Sequence, residues 1–145
     1  MLGVKSGVME SVTVSRRVGA SPERVREVMG DVEAFMLAAG FTEVEVDGPD
    51  VHLENQVGLA TVTLDLRLVE REGAALAYEQ AEGFFERMDT VYTVEAVDGG
   101  SEVTATTEFA LDVALVGEIL DSTVIKRQRT SELEQQFDWL ASEFE

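Results

Sequence analysis

The sequence predicts an α+β fold: a curved antiparallel sheet of about six to seven strands wrapped around one long C-terminal helix, with two short helices after the first strand. Three observations point there. Residues 41–111 read as strands in series separated only by short turns, and strands joined that way pair antiparallel. From about Val113 or Leu115 to Phe144 the pattern is that of one long amphipathic helix. A lone helix with an apolar stripe needs a sheet to cover, and a sheet that curves around it is the economical solution.

The elements follow in order. Residues 9–18, MESVTVSRRV, alternate as a strand, with Val12, Val14, Arg16 and Val18 on one face. Ser21 is a good N-cap and Pro22 stands at the first helical position, where its missing N–H costs nothing. Val25, Val28 and Met29 make the apolar side of that short helix, and Gly30 ends it. Asp31 caps a second short helix carrying Val32, Phe35, Met36 and Ala39, closed by Gly40.

Strands are expected at 41–46, 51–56, 59–69, 74–81, 84–97 and 103–111. Asp47-Gly48-Pro49-Asp50 and Asp98-Gly99-Gly100-Ser101 are turns between them, and Gly83 is a turn or a bulge. In the last helix Ile119, Thr123, Lys126, Thr130, Leu133, Phe137, Leu140 and Phe144 fall at alternating spacings of 4 and 3, one continuous stripe that is apolar at its ends and polar in its middle. Trp139 points away from that stripe.

Composition narrows the function. At 145 residues, of which 45% are apolar, the chain is expected to form one domain over residues 1–145, with 1–8 a loosely ordered lead-in. The absence of cysteine excludes disulfides, thiolate catalysis and cysteine metal sites, and the single histidine, His52, leaves little for a histidine metal site or a triad. The formal net charge of −18 argues against nucleic acid and against an anionic membrane surface. No apolar run reaches the roughly 18 residues a membrane helix needs, and the start lacks a secretory pattern, so a cytoplasmic protein is expected. No D-x-D-x-D-G loop, H-E-x-x-H or G-x-G-x-x-G is present, so neither a metal nor a cofactor is expected. Of the 11 cations only Lys5 and Lys126 are lysines; acidic, lysine-poor surfaces of this kind resemble those of proteins from salt-loving microbes. An ordinary acidic protein is the alternative.

The opening VTVSRRVGASPERVREVMGDVEAF, a strand running into a small-Ser-Pro-Glu helix start and a Gly-Asp break, and the closing LDSTVIKRQRTSELEQQFDWL resemble the START-like, helix-grip (SRPBCC) superfamily. That group includes polyketide cyclase/dehydrase and lipid-transport proteins, the birch-pollen allergen family and coenzyme Q-binding proteins. Element order agrees along nearly the whole chain. Many relatives carry a tryptophan in the first short helix, where this chain has Val25 and Val28. The resemblance implies a cavity between sheet and long helix for an apolar or amphipathic ligand. It carries no catalytic residue over, because members use different pocket residues.

On the inferred registers Tyr78, Gln80, Met88, Tyr92, Thr107 and Phe109 face that interior, and Thr123, Lys126 and Thr130 roof it. Mixed apolar and hydroxyl groups suit an amphipathic ligand, although a filled core with tyrosines at its rim fits the same pattern. Lys126 either offers its ammonium to a ligand or snorkels out along its stem. The Lys126–Arg129 run spreads around the helix, partly neutralised by Glu132 and Glu134. His52 is expected on the surface.

Three functions remain. The first is a binding or transport protein for a small hydrophobic ligand such as a lipid, isoprenoid, quinone or polyketide-like molecule. The second is a cyclase- or dehydratase-like enzyme, for which Tyr78, Tyr92, Glu86 and Lys126 are the candidate acid–base groups. The third is an interaction module with a filled cavity and Trp139 as a contact.

The charge yields the first prediction. The protein melts at a higher temperature in molar KCl than in dilute buffer, because a screening length of about 3 Å relieves carboxylate repulsion. Thermal melts across a KCl series check this; a flat or falling trend removes the salt-adapted interpretation.

Overall fold

The computed structural model describes residues 9–111 and 122–145. The expected lead-in at 1–8, the expected helix start at Val113 or Leu115, and Ile119 lie outside them. The chain runs β1 (Glu10–Val18), α1 (Pro22–Met29), α2 (Val32–Leu37), β2 (Glu43–Asp47), β3 (Asp50–Val57), β4 (Ala60–Leu68), β5 (Leu76–Gly83), β6 (Phe85–Val97), β7 (Gly100–Leu111) and α3 (Ser122–Ser142). The sheet has seven strands in the order β1-β7-β6-β5-β4-β3-β2, every neighbouring pair antiparallel. α1 and α2 carry the chain from one sheet edge to the other, and the remaining strands meander back to β1.

The local signals act as their chemistry dictates. Ser21 Oγ accepts from the Arg24 N–H at 3.4 Å with Pro22 in the first turn, and Asp31 Oδ1 accepts from the Ala34 N–H at 3.2 Å. The bulge falls at Ala81, which pairs with no residue of β4, and Gly83 ends β5 where the chain crosses to β6. The β4–β5 register slips between Asp65 and Leu66, and Gly83 has φ 149° with its backbone so close to β4 that a Cβ would stand 2.7 Å from the Thr63 carbonyl oxygen. A second slip, between Phe85 and Arg87, places Glu86 opposite no residue of β7. β5 and β6 pair only over Leu76–Glu79, and beyond that point the Gln80 amide replaces the ladder. It donates to the Phe85 carbonyl at 2.7 Å and accepts from the Phe85 N–H at 3.0 Å.

One face of the sheet buries Val12, Leu53, Leu66, Tyr92, Ala105 and Phe109 against α3 and the two short helices. Phe35 of α2 meets Tyr92 edge-on with ring centroids 5.1 Å apart, which ties the crossover to the centre of the sheet.

The face that α3 turns inward differs from the expected stripe. Leu133, Phe137 and Leu140 are buried as expected, but toward the N-terminus the buried positions are Ile125, Arg129 and Glu132, with Gln136 beside Phe137. Thr123 is exposed. Lys126 keeps its side chain 45% exposed and pairs with Glu10 at 3.5 Å, so it sits on the rim, as the snorkelling alternative has it. Thr130 is half-buried and donates to its own helix at the Lys126 carbonyl, 2.8 Å away. Counting back from Leu133, steps of three and of four residues both stay on one helix face. Apolarity favours Thr130 over Arg129; the fold buries Arg129 because Glu132 compensates it.

Phe137→Ala is therefore expected to cost about 3–5 kcal/mol, as large core truncations do, and Thr123→Ala to change stability by no more than about 0.5 kcal/mol. Urea unfolding of the two variants checks the face assignment. Comparable losses contradict it.

Candidate functional site

The centre of α3 presents two charges to the interior, and both are buried. Arg129 is 4% exposed and Glu132 3%. One helical turn separates them, so Arg129 Nη1 donates directly to Glu132 Oε1. Glu132 Oε2 accepts from Asn55 Nδ2 of β3 at 2.8 Å and from Gln128 Nε2 at 3.1 Å. Both carboxylate oxygens thus face donors, the pattern suited to the ionised form. Arg129 Nη2 reaches the hydroxyls of Thr107 at 3.1 Å, Thr90 at 3.2 Å and Tyr78 at 3.4 Å. The Thr90 hydroxyl donates to Thr107 at 2.8 Å, and Thr107 donates to the Asp89 carbonyl at 3.3 Å. Burial alone pulls the guanidinium pKa down, but Tyr78 and Glu132 outweigh it and hold Arg129 firmly charged.

A second polar pair lies one turn on. The Tyr92 hydroxyl donates to Gln136 Oε1 at 2.5 Å, and Gln136 Nε2 donates to the Phe35 carbonyl at 3.1 Å. Burial, then the neighbouring Tyr78, push the Tyr92 hydroxyl well above its ordinary range, so it stays protonated.

Arg129 and Glu132 form the polar end of a cavity under α3, together with Asn55 and Gln128. Its walls are apolar, with Phe41, Val62, Leu64, Phe85 and Ile125 among them. The cavity encloses about 310 Å³ of unoccupied space, counting its open mouth, with half-buried Phe84 and Gln128 in its lining. Its interior has room for about one water molecule, so a larger guest has to part these side chains.

The residues expected to line a site distribute as follows. Tyr78, Met88, Tyr92, Thr107 and Phe109 are buried on the sheet. Tyr78 and Thr107 back the guanidinium from behind the cavity, and Tyr92 is committed to Gln136. Gln80 spends its amide on the β5–β6 end, while Thr123, Lys126 and Thr130 flank the roof without entering it. Glu86 is exposed at its bulge. Trp139 is half-buried with its ring 6.3 Å from Phe35, a packing residue between α3 and α2. Arg129, Glu132, Asn55 and Gln128 were outside the expected set. The spacing of Arg129 and Glu132 is the signal that could have found them, since an i,i+3 pair of opposite sign can turn inward together.

His52 has a more definite environment than a free surface residue. On the strands β2–β4 its Nδ1 lies 2.7 Å from Asp65 Oδ1, and its Nε2 lies 3.4 Å from Glu54 and 3.8 Å from Glu43. The Asp65 hydrogen bond raises its pKa, burial opposes this, and Glu54 adds to the rise. Glu43, His52 and Glu54 bring one ligand atom each within 4.8 Å of one another, but all three stand partly in solvent, with Glu54 within hydrogen-bond reach of the ring and Glu43 only an ion-pair neighbour.

The sheet, the two short helices after β1 and the α3 roof over an apolar cavity define a helix-grip protein of the START-like class. The sequence profile of the polyketide cyclase / dehydrase and lipid transport family matches residues 9–145, and the chain belongs to that family. Among curated proteins none matches. Solved structures share the fold at low identity. The protein TTHA0849 from Thermus thermophilus is 18% identical with a TM-score of 0.72, covering 94% of this chain and 100% of its own. The Zhui aromatase/cyclase from Streptomyces sp. R1128 is 18% identical with a TM-score of 0.70, covering 92% and 94%. A START superfamily protein from Mycobacterium smegmatis is 14% identical with a TM-score of 0.62, covering 94% and 96%. Among the described residues, no helix is long and apolar enough to cross a membrane.

The buried pair carries its own prediction. Glu132→Leu alone strands the guanidinium and is expected to destabilise the fold by about 3–5 kcal/mol, whereas adding Arg129→Met recovers most of that loss. Urea unfolding of both singles and the double closes the cycle. Additive losses in the double variant contradict direct coupling.

Proposed function

We propose that the protein is a cytoplasmic binding or transport protein for a small hydrophobic or amphipathic ligand, held between the sheet and α3. The observation that carries this is an apolar-walled cavity ending on a buried, hydrogen-bonding Arg129. A few convergent polar groups at the end of an apolar cleft are the usual make-up of a small-molecule site. The family's description, which includes lipid transport, supports the same reading.

Catalysis of the cyclase or dehydratase kind finds less support. It needs a positioned group free to exchange a proton. Glu86 lies in solvent, Lys126 is on the rim beside Glu10, and Tyr92 is held protonated against Gln136. Arg129 and Glu132 neutralise each other.

The test is titration with a neutral apolar dye whose fluorescence rises on burial. Wild type binds it with micromolar affinity or better. Leu64→Trp, which fills the cavity, weakens binding at least about tenfold, while Lys126→Met on the rim leaves it within about twofold. No binding by folded wild type favours the filled-cavity interaction module instead.

A further inference from the structure

One buried donor of a cavity-lining residue is unspent. Arg129 Nε has no hydrogen-bond partner, although Nη1 and Nη2 are committed to Glu132 and to the Tyr78, Thr90 and Thr107 hydroxyls. The side chain that bears it is 5% exposed, so bulk water does not satisfy it. A buried donor of this kind calls for an acceptor; Arg129 lines the cavity, and a guest that parts the lining side chains is what would bring an acceptor to Nε. Chemistry then limits which acceptor. Arg129 and Glu132 are the charged residues in the described lining, and they cancel. A carboxylate entering here would leave one uncompensated negative charge in an apolar enclosure, which is costly. A carbonyl oxygen meets the donor and adds no charge. Glu132 cannot readily swing aside for an anion, because Asn55 of β3 and Gln128 hold its other oxygen.

We propose that Glu132 sets the selectivity of the cavity: by neutralising Arg129 it admits uncharged apolar ligands that carry an acceptor oxygen, such as a ketone, ester or quinone carbonyl, and excludes carboxylates. This rests on the ligand-binding reading above and adds the chemical class of the ligand and the residue that selects it.

The experiment displaces the neutral dye from the wild-type protein with three probes of eight carbons: 2-octanone, octanoate and 1-octene. The ketone is expected to bind at least about tenfold tighter than octanoate near neutral pH and a few-fold tighter than the alkene, the difference one buried hydrogen bond makes. Glu132→Gln keeps the shape but removes the charge, so octanoate should gain at least about tenfold relative to the ketone. A purely structural role for Glu132 would weaken all three probes together and leave their order unchanged.

Octanoate binding wild type as tightly as the ketone overturns the proposal and leaves the cavity reading standing. So does a ketone no better than the alkene, or an unchanged order in folded Glu132→Gln. Failure of the dye and all three probes removes the ligand-binding reading and the proposal with it. If Glu132→Gln does not fold, the wild-type series decides alone.

Discussion

The interior of this protein is organised around one ion pair. Arg129 and Glu132 occupy a place on α3 where an apolar residue would ordinarily sit, and neither could stay there without the other. Their remaining hydrogen-bonding capacity recruits Asn55 from β3, Tyr78 from β5, Thr90 from β6 and Thr107 from β7. The pair thereby ties the middle of α3 to four strands of the sheet by directional bonds. Apolar contact alone could let the helix slide or roll; these bonds set its rotation about its own axis. That rotation puts Lys126 on the rim and Arg129 in the cavity.

The sheet makes room for this arrangement through its irregularities. The bulge at Ala81 and the register slip before Arg87 fall in β5 and β6, where the β5–β6 ladder stops short. Bulged strands bend and twist more than regular ones, which lets a sheet curve around a helix. Gln80 closes the gap in hydrogen bonding that the bend leaves, so its polar side chain serves the backbone. Phe84 and Phe85 follow at once, and both line the cavity. The short β5–β6 ladder and the cavity wall are thus products of the same local departure from regular pairing.

Much of the architecture is legible in the sequence. Period-two alternation marked the strands within a few residues of their observed ends, because a half-buried strand cannot hide its alternation. Ser21-Pro22 and Asp31 marked both short helices because capping chemistry is local. Leu133, Phe137 and Leu140 were recognisable as core by apolarity at helical spacing. The site was less legible. Thr123, Lys126 and Thr130 form the polar break in the expected stripe, whereas the buried polar groups lie at Arg129, Glu132 and Gln136, roughly 9 Å further along the helix and rotated about its axis. A pattern of apolarity is set by the apolar residues on either side of a charge and has no means of registering that two charges cancel.

Strand order of types, short-turn connectivity and the amphipathic last helix follow from residue chemistry within a few positions along the chain, which is why one sequence could specify the seven-stranded sheet and its helical roof. The rotation of α3, the use of Gln80 as a backbone staple and the carboxylate neighbours of His52 depend on residues far apart in sequence. Glu132 meets Asn55 across 77 residues, and Arg129 meets Tyr78 across 51. Whether a charge is buried depends on the partner that the folded chain delivers to it, and no local window contains that partner.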